Sequence, residues 1–114
     1  MTAKTTLTAK ITTSSAVFEL LAEGPLPRQR CHFVLPPGQA SQLGRGESAD
    51  LIVPWEPHLS RVHAALAPDG KYVTLSRHNE SRNPVFVRGE PVDSCRLRAG
   101  ESFVIGETSF RISE

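Results

Sequence analysis

The 114-residue sequence contains little cysteine and no long apolar run. Its two cysteines, Cys31 and Cys95, lack the Cys-x-x-Cys or Cys/His spacing of a zinc site, so we expect no metal site. The N-terminal residues lack the continuous apolar region of a secretory signal, and no stretch approaches the length of a membrane span. We therefore expect a cytoplasmic protein with reduced thiols.

Net charge is also nearly absent, because 13 Lys and Arg residues face 12 Asp and Glu residues, for a formal charge of +1. Such a balance creates no basic field that would attract a nucleic acid or an anionic membrane. We therefore expect neither nucleic acid nor membrane as a partner. Any function of the arginines must be local.

Turn-forming residues are plentiful, with nine prolines and eight glycines that divide the chain into short segments. The apolar residues alternate as in half-buried strands, and no window shows a helical period. Residues 102–105 and 108–112 flank Gly106-Glu107, which predicts a hairpin with a two-residue type II′ turn. The pattern predicts an all-β domain, a sandwich or barrel of about ten or eleven strands.

The strand pattern also gives more detailed predictions. A strand is predicted over residues 59–67, with His63 on the same face as the alanines at 65 and 67. The turn after it is placed at Pro68-Asp69-Gly70, where glycine supplies a positive φ. Residues 1–15, rich in Thr and Ser, are predicted to be an edge strand or a flexible tail, and the domain to span residues 16–114.

Residues that could bind a phosphate group occur between Leu43 and His63. Gly44-Arg45 ends one apolar segment, and Ser60 follows fifteen residues after Arg45, directly before Arg61. A guanidinium can bond two phosphate oxygens at once, and a hydroxyl can bond another. The stretch therefore contains the donors that a phosphate dianion requires, although solvated surface arginines beside a serine turn would give the same pattern.

Ser60 and His63 could also suggest a nucleophile and its base. No Gly-x-Ser-x-Gly elbow surrounds Ser60, and the sequence indicates no third residue to orient the histidine. We favour a buried His63 that holds the Ser60 loop by hydrogen bonds. We therefore expect neither an enzyme nor a cofactor.

Four motifs, taken in order, resemble those of the forkhead-associated (FHA) domain. They are Gly44-Arg45, Ser60-Arg61-Val62-His63, Ser81-Arg82-Asn83-Pro84 followed by Gly89, and Ile105-Gly106. The resemblance covers roughly residues 17 to 112. It implies a β-sandwich of two twisted antiparallel sheets that binds phosphothreonine peptides.

The resemblance also implies residue roles. It assigns phosphopeptide binding to Arg45, Ser60, Arg61, Arg82 and Asn83. It assigns structural support of the site to His63 and to two expected turn glycines, Gly44 and Gly89.

Two positions depart from the family pattern, since Arg82 replaces the usual Thr and Pro84 replaces the usual Gly. Proline biases Asn83 toward extended geometry, so this loop cannot be the family's Asn-Gly turn unchanged. Arg82 would add a hydrogen-bond donor to the phosphate, and Asn83 would offer its amide to a peptide backbone.

The leading functional prediction is a phosphothreonine-recognition module that binds Thr-phosphorylated proteins downstream of a Ser/Thr kinase. The alternative is a phosphate-independent scaffold of the same fold, and either would be part of a larger multidomain protein. A further hypothesis concerns the six threonines near the N-terminus. Once phosphorylated, this segment of one chain would dock into the site of another.

Overall fold

The computed structural model describes residues 17–114, which contain eleven β-strands and no helix. The all-β prediction is confirmed, while the predictions for residues 1–15 lie outside the described part. The strands are β1 (Phe18–Glu23), β2 (Arg30–Leu35), β3 (Ser41–Gly44), β4 (Leu51–Ile52), β5 (Ala64–Asp69), β6 (Tyr72–Arg77), β7 (Val85–Val87), β8 (Glu90–Val92), β9 (Ser94–Leu97), β10 (Ser102–Ile105) and β11 (Thr108–Ser113).

The strands form two sheets. One has the order β2-β1-β11-β10-β7-β8, and the other has the order β4-β3-β5-β6-β9. Every pair is antiparallel except β3 with β4, where Leu43 lies beside Leu51 in parallel register. Before β4, Asp50 makes two hydrogen bonds to Gln42 of β3: its N–H donates to the Gln42 carbonyl and its carboxylate accepts the Gln42 N–H, each at 2.8 Å.

Alternate residues of both sheets form one buried core. Phe103 and Phe110 pair across β10 and β11, and their rings stack with centroids 4.8 Å apart. The largest fully buried side chains are Phe18, Phe103, Phe110, Leu20, Leu35, Leu43, Leu59, Leu66, Leu75, Leu97, Ile105 and Ile112. This period-two burial explains why the strands could be predicted from local pattern.

Two local predictions around β5 are wrong. The strand begins at Ala64, because the carbonyls of Ser60 and Arg61 bond to the loop that follows β3 instead of continuing a ladder. The turn after β5 is Gly70-Lys71, because Pro68 and Asp69 still pair with β6 and Gly70 supplies the positive φ of 65°. In contrast, the predicted Gly106-Glu107 turn is confirmed, since Ile105 pairs with Thr108 and Gly106 has a φ of 62°.

The described residues contain no helix that could cross a membrane and no group of three or more potential metal ligands. Cys31 and Cys95 are both free and half-buried. Burial raises the pKa of each thiol, so the reactive thiolate is disfavoured at neutral pH.

Candidate phosphate-binding cleft

Two loops meet at the end of β3. The 45–50 loop bonds to the 53–63 loop through the N–H of Arg45 to the Ser60 carbonyl at 3.0 Å and the N–H of Gly46 to the Arg61 carbonyl at 3.2 Å. A Cβ on Gly44 would overlap the carbonyl oxygen of Arg61. Gly44 therefore permits close approach of two backbones and is not the turn glycine that we predicted, since it lies within β3.

His63 joins the 53–63 loop to a third loop, residues 78–84. Its Nδ1 accepts the N–H of Ser60 at 3.0 Å, so Nε2 carries the proton and donates to the Asn83 carbonyl at 2.8 Å. Burial lowers the pKa of His63, the Asn83 hydrogen bond opposes this, and the charges of Arg77 and His78 lower it further. His63 is thus a buried, neutral connector between two loops.

The hydroxyl of Ser60 faces the 78–84 loop. It accepts the backbone N–H of Arg82 at 3.2 Å, which leaves its own proton available to a ligand. His63 contacts the backbone of Ser60 and makes no hydrogen bond to its hydroxyl. The pair therefore lacks the arrangement of a nucleophile and its general base.

An open cleft of about 420 Å³ lies between these loops. It brings together all five residues to which the resemblance assigns phosphopeptide binding. The lining consists of Arg45, Pro57, His58, Leu59, Ser60, Arg61, Glu80, Arg82 and Asn83. Gly89 lies elsewhere, in the β7–β8 turn, where Arg88 and Gly89 have φ values of 50° and 80° as a type I′ turn requires.

Positive charge dominates the rim of this cleft. Arg45, Arg61 and Arg82 are all exposed, and none of them forms a salt bridge with another described residue. The Nε of Arg45 donates to the carbonyl of Leu59 at 3.1 Å, which orients its guanidinium while its terminal nitrogens make no hydrogen bond within residues 17–114. Three guanidiniums against the one carboxylate of Glu80 in the same lining favour an anionic ligand.

Arg77 anchors the 78–84 loop, a role that the sequence did not indicate. Its Nη1 donates to the Ser81 carbonyl and to the Ser81 hydroxyl, both at 3.0 Å, and its Nε and Nη2 donate to Asp93 at 3.2 and 3.1 Å. The hydroxyl of the buried Ser81 donates in turn to the carbonyl of His78 at 2.8 Å. These bonds stabilise a loop that lacks the Asn-Gly turn.

Asn83 adopts no left-handed conformation, since Arg88 is the one non-glycine residue with positive φ among the described residues. Its side-chain amide donates to the carbonyl of His58 at 2.9 Å. Part of the amide is therefore used within the protein. The side-chain oxygen and the second N–H remain for a ligand.

A buried carboxylate, Glu56, directly precedes the cleft residues Pro57 and His58 and was missed by the sequence analysis. One oxygen accepts the N–H of Glu107 at 3.0 Å and the hydroxyl of Thr108 at 2.7 Å, and the other accepts the N–H and Nδ1 of His58 at 3.0 and 2.6 Å. Burial acts to raise the pKa of Glu56, but the hydrogen bonds from Thr108, His58 and Glu107 outweigh it and lower the pKa. Glu56 thus ties the 53–63 loop to the β10–β11 turn.

The same contacts explain the glycine of the Ile105-Gly106 motif. A Cβ on Gly106 would overlap the carboxylate of Glu56 and Nδ1 of His58. Beside it, the indole N–H of the half-buried Trp55 donates to the hydroxyl of Thr108 at 2.9 Å. Nothing in the local sequence marks Glu56, because two of its hydrogen-bond partners, Glu107 and Thr108, lie about fifty residues away.

Comparison with known proteins agrees with this architecture. The FHA domain family matches residues 42–106, more than half of the chain. The ABC transporter ATP-binding/permease protein Rv1747 of Mycobacterium tuberculosis is 40% identical over 72 residues, which are 63% of this chain and 8% of that protein. The chain thus matches less than a tenth of this relative's length.

Solved structures of similar fold include an FHA domain studied for phosphothreonine-dependent interactions, with 24% identity and a TM-score of 0.73 over 87% of this chain and 97% of that one. They also include the FHA domain of FhaA complexed with the intracellular domain of Rv3910, with 25% identity and a TM-score of 0.70 over 85% and 99% of the two chains. The chain belongs to the FHA domain family.

Proposed function

We propose that this domain binds phosphothreonine peptides in the cleft and thereby mediates phosphorylation-dependent association between proteins. One observation carries the proposal: Arg45, Arg61, Arg82 and the free proton of Ser60 converge on one cleft. Phosphothreonine carries about −1.5 to −2 charge at pH 7 and three acceptor oxygens. Its charge and acceptors complement these donors.

Each donor has a distinct part in the proposed complex. Arg45 bonds two phosphate oxygens through its free terminal nitrogens, and the Ser60 hydroxyl donates to a third oxygen. Arg61 and Arg82 add positive charge, with Arg82 in place of the usual threonine. The remaining amide groups of Asn83 bond to the peptide backbone.

The wider role follows from membership of the family. FHA domains are interaction modules rather than enzymes. The interactions of one similar FHA domain are phosphothreonine-dependent, which supports the same ligand here. We place the domain in the cytoplasm, within a larger protein and downstream of a Ser/Thr kinase that phosphorylates its partner.

The decisive experiment compares peptides that differ only in phosphate. A degenerate phosphothreonine library selects a binder, which is then titrated calorimetrically in phosphorylated and unphosphorylated form. We expect the unphosphorylated peptide to bind at least about 100-fold more weakly, because several charge-assisted hydrogen bonds are lost. Equal affinities would instead favour the phosphate-independent scaffold.

We further propose that the threonine-rich N-terminal segment, once phosphorylated, binds the cleft of a second copy of the chain. Its six threonines near a phosphothreonine site motivate this. Sedimentation velocity before and after kinase treatment should show a phosphorylation-dependent rise in mass that Arg45→Ala abolishes. An unchanged mass despite phosphorylation confirmed by mass spectrometry would exclude self-association.

A further inference from the structure

A second cavity adjoins the cleft on the other side of Arg61. Its volume is about 500 Å³, and it shares Ser60, Arg61 and Glu80 with the cleft, while Ser48 and Val62 line it beyond them. Because the two spaces share one wall, the second cavity lies within reach of a peptide whose phosphate occupies the cleft. An extended chain advances about 3.3 Å per residue, so four positions on either side of the phosphothreonine cover about 13 Å.

The carboxylate of Glu80 is unusual in this position. Glu80 lines both spaces and shares the cleft with three arginines, yet it forms neither a salt bridge nor a side-chain hydrogen bond with any residue in the described part of the chain. A negative charge next to a bound phosphate opposes binding. A positive charge on the ligand, placed against Glu80, would reverse this effect.

The charges that face the second cavity favour such a ligand once the phosphate is bound. Arg61, which lines both spaces, then faces a dianion that compensates its charge. His78 is fixed by a hydrogen bond from its Nε2 to the side-chain oxygen of Gln42 at 2.8 Å. Besides Arg61 and His78, Glu80 is the one residue lining this cavity that carries a charged group, and its charge is negative.

The remaining groups suit a long cationic side chain. The hydroxyl of Ser48, a second lone pair on the Gln42 oxygen and the carboxylate of Glu80 are acceptors for an ammonium or guanidinium group. The half-buried Val62 provides an apolar wall for its aliphatic part.

We propose that this second cavity is a subsite for a Lys or Arg residue close to the phosphothreonine, and that Glu80 determines the preference. The proposal rests on the proposed function and adds a specificity to it. The ligand is then a phosphothreonine peptide with a basic flanking residue.

The test uses one phosphothreonine peptide with alanine at the four positions on each side. Lys and Glu are placed in turn at every flanking position, and affinities are measured by fluorescence anisotropy at about 0.05 and 0.15 M salt. At one or two positions we expect Lys to bind about five- to tenfold more tightly than Glu, and less so at the higher salt. The absence of such a position would overturn the proposal.

Variants assign the preference to Glu80 and to this cavity. Glu80→Gln should remove the Lys preference while the alanine peptide binds about twice as tightly, and Glu80→Lys should invert it. Ser48→Arg places a competing cation on the wall outside the phosphate cleft and should also remove it. Glu90→Gln, which makes the same charge change on β8, should retain it.

The outcomes separate the two proposals. If the phosphorylated alanine peptide binds but the Lys preference survives in Glu80→Gln, the subsite is wrong and phosphothreonine recognition stands. If no phosphorylated peptide binds better than its unphosphorylated form, both proposals fail.

Discussion

Replacement of Arg45 with alanine is expected to weaken phosphopeptide binding by about 1.5–3 kcal/mol, the scale of hydrogen bonds to a charged group. The residue is exposed, and the one bond made by its side chain within the described part of the protein joins Nε to the carbonyl of Leu59 at 3.1 Å. Its loss should therefore leave the fold intact. Calorimetric titration with a phosphothreonine peptide measures the effect, and thermal unfolding checks the fold.

Two further variants identify the cause of this loss. Arg45→Lys keeps the charge but loses the planar fork, so we expect it to recover only part of the affinity. Arg111→Ala removes the same charge from an exposed position on β11 and should bind like the unmodified protein. Unchanged affinity in Arg45→Ala would contradict the assignment of the cleft.

Replacement of Glu56 with alanine is expected to destabilise the domain by about 3–5 kcal/mol, because four hydrogen-bond donors lose their acceptor in a buried site. The variant should also bind phosphopeptide more weakly, since the His58 loop that anchors Asn83 is released. Urea unfolding gives the stability. Glu107→Ala, an exposed change in the adjacent turn, should differ by less than about 0.5 kcal/mol.

The pH dependence of stability offers an independent check on Glu56. Its folded-state pKa lies below the ordinary value of 4.5, so the unfolded state takes up a proton first as the pH falls. The contribution of Glu56 is thus complete above about pH 4.5 and is lost as the pH falls through the lowered pKa. We expect a shallower acid-side loss of stability in Glu56→Gln, and an identical slope would contradict this role.

Several features could be predicted from the sequence because they depend on local pattern. The alternating strands, the Gly106-Glu107 hairpin and the strand count follow from period-two burial and turn chemistry. The residues of the cleft were predicted from the resemblance to FHA domains, because four short motifs of the family occur in this sequence in the same order. The end of β5 was missed because Pro68 and Asp69 are typical turn residues, whereas in the structure they still pair with β6.

The tertiary structure alone decided how the loops meet. Gly44 admits a second backbone because Arg61 lies against it, and the buried carboxylate of Glu56 accepts hydrogen bonds from Glu107 and Thr108, about fifty residues away. The anchoring of the 78–84 loop by Arg77 likewise depends on Asp93, sixteen residues away. Such contacts join segments far apart in the chain and have no local period. The sequence by itself thus determined the strands and the residue types that can donate hydrogen bonds to phosphate, whereas long-range hydrogen bonds decided the shape of the cleft and its neighbouring cavity.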